Sequence, residues 1–191
     1  PRIGLPDAEI LLAHRRPTTA HRGVVQQQAR ERFGEPCTTV KMRVRSMRGS
    51  FSGGTVASVL NVLKEVKSNP ALRKELADPY SICPQIDGKG SAKRVRQANV
   101  VFAEYDPDFS AWIAPFVMSA INTRVVHRTN ALLQHAYGTD FRYDEAVLTG
   151  RGLRGRLTAT ATSVGLGAFM VAGSIGAMRS LLEKYVLPAP G

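Results

Sequence analysis

The sequence predicts an α+β fold, an antiparallel or mixed sheet with helices packed on one face, followed by a carboxy-terminal apolar helix or helical hairpin. Strand-like stretches at residues 38–47, 100–105 and 141–148 alternate with helical apolar stripes, which is the pattern of a layered sheet-and-helix domain. Residues 157–178 then run without a single charge. At 191 residues the chain can bury the core of one domain, and a composition of 43% hydrophobic and 21% charged residues is that of a globular protein.

The elements follow in order. Residues 1–25 mix Pro, Arg and His with one short apolar run, Ile10-Leu11-Leu12, and are expected to form a loose basic arm. From Thr38 to Met47 the period is two: Val40, Met42 and Val44 point one way, and Lys41, Arg43 and Arg45 the other. After Arg48-Gly49 and Ser52-Gly53-Gly54-Thr55, the spacing of Val56, Val59, Leu60, Leu63 and Val66 predicts a helix that stops at Ser68-Asn69-Pro70. Pro70 suits the first position of a second short helix, which Asp78-Pro79 should end. Residues 81–97 read as loop. Val100 to Tyr105 has the β-branched and aromatic content of a strand, and Asp106-Pro107 turns the chain.

Trp112 to Met118 is apolar, broken by Pro115, and expected to be covered. From Ile121 a helical stripe of Val125, Thr129, Leu132, Leu133 and Ala136 leaves Asn122, Arg124, His127, Arg128 and Asn130 off its apolar side, with Gly138 as the stop. Phe141, Tyr143, Glu145 and Val147 alternate with Arg142, Asp144, Ala146 and Leu148 as a last strand. Residues 157–178 are long enough to cross a bilayer. Their Thr, Ser and Gly content favours a helix lying on a membrane or buried in protein. The expected organisation is thus an arm at 1–25, an α+β domain at 26–150 and an apolar segment at 151–191.

Twenty-six Lys and Arg against fifteen Asp and Glu give a formal charge of +11, which favours anionic neighbours. Residues 1–48 hold ten of the basic residues against Asp7, Glu9, Glu31 and Glu35. Nucleic acid is disfavoured as a partner, because aromatic residues are 7% and no recognition helix, zinc finger or stacking signature accompanies Lys41, Arg43, Arg45 or the loop Lys89, Lys93, Arg94, Arg96. Cys37 and Cys83 lack metal-ligand spacing and read as buried or idle thiols; His127 and His135 are eight apart, too far for a one-turn metal pair, and read as surface residues. No metal site is expected.

Two stretches are candidate binding sites. Ser52, Gly53, Gly54 and Thr55 open a helix whose free N–H groups attract phosphate, the alternative being a plain helix cap, since this turn has neither G-x-G-x-x-G nor Walker spacing. Gly88-Lys89-Gly90-Ser91 lacks the Ser or Thr directly after Lys that a P-loop requires. Asn122, Arg124 and Arg128, with Asn130, could hold a carboxylate or phosphate, the alternative being a solvated helix face. No residue is assigned a catalytic role.

Several ordered motifs resemble one family. Ser52-Gly53-Gly54-Thr55-Val56-Ala57, Asp78-Pro79-Tyr80, Ala114-Pro115-Phe116, the run Asn122 to Leu132, Tyr137-Gly138, Phe141-Arg142-Tyr143 and the closing Leu187 to Gly191 together look like saccharopine-dehydrogenase-like oxidoreductases, including trans-acting enoyl reductases, over residues 26–191. The resemblance implies a two-part enzyme, with an NADP-binding Rossmann half and an α+β half that shapes the substrate site. The chain opens on Pro1 and closes on Pro188-Ala189-Pro190-Gly191 and reads as the second half alone. NADP is expected in the intact parent and none on this portion, which should carry no dinucleotide turn. The implied partners are its own or a separate Rossmann domain, a lipid or membrane surface and possible further copies of itself. The implied setting is intracellular, at a membrane surface, lipid droplet or organelle membrane, with a lipid-linked substrate. The alternative is a non-catalytic, membrane-associated interaction module.

Overall fold

The computed structural model describes residues 19–46, 53–84 and 95–175. Expectations that fall on 1–18, 47–52, 85–94 and 176–191, among them Ser52, the Gly88 loop and the closing Leu187 to Gly191, lie outside the described residues. The elements are α1 (Thr19–Phe33), β1 (Thr39–Val44), α2 (Gly53–Ser68), α3 (Pro70–Ala77), β2 (Glu104–Asp106), β3 (Ala111–Pro115), α4 (Ser119–Leu132), β4 (Arg142–Gly150) and α5 (Gly152–Ser174). The fold is α+β, as the sequence predicts. Its sheet is mixed, with strand order β1-β4-β3-β2: β1 runs parallel to β4, and β3 runs antiparallel to both of its neighbours, β4 and β2.

Register decides which residues share a face. Val40 pairs with Tyr143, Met42 with Glu145, Val44 with Val147, and Val147 in turn with Ala114. The period of two therefore puts Val40, Met42, Val44, Tyr143, Glu145, Val147, Ala114 and Trp112 on one face. Both α4 and α5 meet that face: Asn122 of α4 bonds Glu145, and Arg156 of α5 lies over the Trp112 ring. A core of Val25, Val40, Met42, Val44, Phe116, Val126, Tyr137, Phe141 and Tyr143 closes between α1, α4 and the β1–β4 pair. The opposite face carries Ile113 and Ala146, covered by Val100 from the extended segment before β2. It also carries Arg43.

Three local features follow their sequence signals. Asn69 caps α3, its Oδ1 accepting from Ala71 and Leu72 N–H at 3.0 and 3.2 Å, with Pro70 at the first helical position. Asp78 ends α3, and its carboxylate accepts the Tyr80 N–H at 2.9 Å. Gly138, at φ +96°, stops the turn after α4.

Other features depart from expectation. The last residues of the expected arm, from Thr19, begin α1, because Val25, Gln26 and Ala29 find a buried surface there. Of the expected 100–105 strand only Glu104 and Tyr105 are paired, with Asp106 extending β2, opposite Ile113, Trp112 and Ala111 of β3; Val101 and Phe102 are left exposed. The covered run after Trp112 is strand β3, flanked by β4 and β2, and Pro115 at its end has no N–H with which to continue the ladder. α4 is turned away from its predicted stripe: Thr123, Arg124, Val126, His127, Asn130 and Ala131 are buried, whereas Leu132 and Leu133 are exposed.

Side-chain amides stand in for missing peptide partners at three places. Gln26 is buried and bonds both backbone groups of Cys37, Nε2 to the carbonyl at 2.9 Å and Oε1 from the N–H at 2.8 Å, fixing the α1–β1 turn. Asn130 does the same for the turn after α4, donating to Gly138 O at 2.9 Å and accepting from Tyr137 N–H at 2.8 Å. Gln97 bonds the edge of β4, accepting from Tyr143 N–H at 3.0 Å and donating to Phe141 O at 3.2 Å. Each satisfies donors and acceptors whose burial unmet would cost roughly 1–3 kcal/mol.

Candidate functional site

Gly53, Gly54 and Thr55 form the first turn of α2. The second candidate cluster divides by what each side chain bonds. Asn122 Nδ2 donates to both oxygens of Glu145, at 3.1 and 2.9 Å, and Glu145 is almost wholly buried. Arg124 is buried and turns back on α3. Its Nη2 donates to Leu76 O, its Nε to Asp78 O at 3.3 Å and its Nη1 to Ala120 O at 3.0 Å. Burial lowers its pKa from the usual value, with the fields of Asp78 and Glu75 opposing. Arg128 is exposed and reaches Ile82 O at 2.6 Å. Arg124 and Arg128 thus clamp the end of α3 and the turn after it, giving donors to the carbonyls of Leu76, Asp78 and Ile82. The structure does not bring the α2 turn and the α4 residues into one described site.

His127 is not a surface residue but 3% exposed, between Tyr80 at 4.6 Å and Phe141 at 5.9 Å between ring centroids. Its Nε2 is buried and finds no hydrogen-bond partner among the described residues, and burial lowers its pKa to about 4. Tyr80 completes the cluster: its hydroxyl donates to Val95 O at 2.9 Å and accepts from Gln97 Nε2 at 2.6 Å. The aromatic spacing around residue 127 becomes visible only once α4 is rotated.

Of the basic face expected on β1, Arg43 is spent inside the protein, while Arg45 is exposed. Arg43 is 2% exposed; its Nε donates to Asp106 Oδ2 at 2.7 Å and its Nη2 to Asp144 Oδ2 at 2.5 Å, and the guanidinium lies 5.4 Å from the centre of the Phe109 ring. Lys41 bonds Asp108. Burial works against its charge, but the Asp108 hydrogen bond and the fields of Asp106 and Asp108 outweigh it and raise its pKa. The β2–β3 turn therefore folds over β1, and Arg43 offers nothing to a phosphate backbone.

The expectation that the chain carries no dinucleotide turn needs correction at the level of sequence. Gly150-Arg151-Gly152-Leu153-Arg154-Gly155 has G-x-G-x-x-G spacing and lies between a strand and a helix, β4 and α5. Gly150 and Gly152 adopt φ +116° and +59°, and a Cβ on Gly155 would come within 2.2 Å of Gly150 O. The glycines thus serve a tight turn and a close helix–strand approach. The rest of the fingerprint is missing. β3, beside β4, is antiparallel, and Ser174 and Ile175 stand where an acidic residue would bind the ribose. Without that acidic residue, the residues described around the turn do not fit a nicotinamide dinucleotide.

A Mycobacterium tuberculosis (strain H37Rv) protein provisionally named a trans-acting enoyl reductase is 35% identical to this chain over 171 residues, covering 85% of the chain and 37% of that protein. The trans-acting enoyl reductase of Mycobacterium bovis (strain BCG) is 31% identical over 174 residues, covering 83% and 39%. That of Mycobacterium ulcerans (strain Agy99) is 32% identical over 171 residues, covering 81% and 38%. The chain spans a little over a third of the length of these curated relatives. No family model and no solved structure matches it. What the chain resembles is thus part of proteins named trans-acting enoyl reductases.

Proposed function

We propose that this chain is the substrate-side portion of an NADP-dependent enoyl reductase of saccharopine-dehydrogenase-like architecture, which in its intact form reduces the carbon–carbon double bond of a lipid-linked enoyl group. The observation that carries the proposal is the identity to trans-acting enoyl reductases over most of this chain but only 37% of the relative's length. The unmatched remainder is long enough for a separate nucleotide-binding domain. The G-x-G-x-x-G turn that α5 and β4 use for packing is consistent with the cofactor being held elsewhere.

The test is complementation. This chain and the unmatched part of the M. tuberculosis relative are purified separately and together, and NADPH consumption is followed with an enoyl thioester. Turnover only when both are present supports the proposal. Equal turnover by the companion alone overturns it and favours a non-catalytic interaction module. Tight NADPH binding by this chain alone would instead locate the cofactor at the Gly150–Gly155 turn.

A further inference from the structure

We propose that the chain docks on an anionic lipid surface through the outward face of α5, with the helix lying along the interface and not crossing it. Leu153, Leu157, Val164 and Val171 fall on one side of α5 by the helical period, with Ile175 directly after its end, and all are exposed, Leu153 by 70% and Val171 by 62%. At 1.5 Å per residue this apolar stripe is about 30 Å long, more than isolated surface residues account for.

The opposite side decides between lying and crossing. Gly155, Ala159 and Ser163 are buried where α5 packs on β3 and β4, and a Cβ on Gly173 would meet Leu60 and Leu63 of α2 at 2.8 and 3.0 Å. The helix is long and apolar enough to span a bilayer, yet it is held on protein near both ends. It cannot be ringed by hydrocarbon without leaving the sheet.

Charge selects the occupant. From Arg151 to Ile175 there is no acidic residue, and the exposed Arg154 and Arg156 fall on either side of the apolar stripe. Their aliphatic stems can lie along the apolar surface while the guanidinium groups reach headgroup phosphates. A second copy would offer these arginines no acidic counterpart on α5. Beside them, Trp112 lies under Arg156 at 5.4 Å and meets the half-exposed Tyr105 edge-on at 5.9 Å. Aromatic rings with one polar edge favour the headgroup level.

Trp112 is the chain's single tryptophan and so reports the contact. The full 191-residue chain is sedimented with vesicles of phosphatidylcholine alone or mixed with phosphatidylglycerol, and Trp112 emission is read in parallel. Binding to the mixed vesicles with a blue shift is expected. Arg154→Ala with Arg156→Ala should weaken partition about 30-fold, while the paired Lys variants retain most of it. Leu157→Asn with Val164→Asn, at exposed positions that leave the fold intact, should weaken it on the order of 10-fold or more. Failure of the unaltered chain to bind mixed vesicles, or binding by the Ala pair and the Asn pair equal to that of the unaltered chain, overturns the proposal. So does a concentration-dependent dimer that the Asn pair abolishes while vesicle binding persists, which would assign the stripe to a second copy. Resistance to extraction by alkaline carbonate would show a crossing helix and overturn the interfacial geometry.

Discussion

Gly155→Ala should be the most damaging single methyl in α5. A Cβ there would sit 2.2 Å from Gly150 O and 2.4 Å from Gly150 C, both backbone atoms, so nothing flexible can swing aside. Restoring ordinary contact needs a retreat of about 1 Å between helix and strand, in a layer where packing is close to crystalline. The retreat also loosens the Thr149 hydroxyl, which lies 2.9 Å from both Gly155 O and Trp112 O. Overpacking of this kind costs about 1–3 kcal/mol, and a backbone-on-backbone clash belongs at the upper end, offset by up to about 1 kcal/mol of helix propensity. A net loss of about 2 kcal/mol should lower the melting temperature by roughly 4–8 °C for a chain of this size. Gly165→Ala and Gly167→Ala are internal controls, because no atom lies within 4 Å of a Cβ at either position. Each should gain roughly 0.5–1 kcal/mol. The assay is thermal and urea unfolding read by Trp112 fluorescence and helical circular dichroism. If all three variants shift stability alike, the close approach of α5 to β4 is refuted.

Three further outcomes are expected. His127 has a folded pKa of about 4 against an unfolded value near 6.5, so the folded chain resists its protonation. The stability this represents, about 3 kcal/mol, is full above pH 6.5 and lost as pH falls towards 4; His127→Phe should flatten that limb of a urea-midpoint-against-pH curve, and an unchanged slope would count against burial as its source. Arg43→Met leaves the Asp106 and Asp144 carboxylates buried without their shared partner and should cost about 3–5 kcal/mol, most of it restored by adding Asp106→Asn and Asp144→Asn; denaturant midpoints of the single and triple variants decide this. Arg124→Ala should expose the α3 carboxy-terminus, read as faster amide exchange at residues 76–82 with little change in β4.

Element types were legible wherever the period was clear, as in β1, α2, α3 and β4. What the sequence hid was the facing of charged residues. Arg43 alternates with apolar neighbours as a solvent-facing residue would, and its partners Asp106 and Asp144 lie 63 and 101 positions away, beyond any window of local pattern. α4 hid its inner face for the same reason: Arg124 and Asn130 are buried because carbonyls at the end of α3 and of the Gly138 turn receive them, whereas periodicity weighs only apolarity. Of the candidate residues, Asn122 was legible as a donor, but its acceptor Glu145 reads in sequence as one more residue of an alternating strand. The G-x-G-x-x-G spacing after β4 was present in plain text, and only geometry assigns its glycines to packing.

Gln97 has a consequence for how the sheet meets other chains. β3 stops pairing with β4 at Pro115 opposite Ala146, leaving the first residues of β4 with an open side. The Gln97 amide occupies that side, matching Phe141 O and Tyr143 N–H as one peptide unit of a strand would. An incoming strand therefore finds its first two docking points taken, and would have to displace a side chain that also holds the Tyr80 hydroxyl. A single glutamine thus shields the sheet against strand exchange between molecules, at a place where an added strand of its own would have needed several residues.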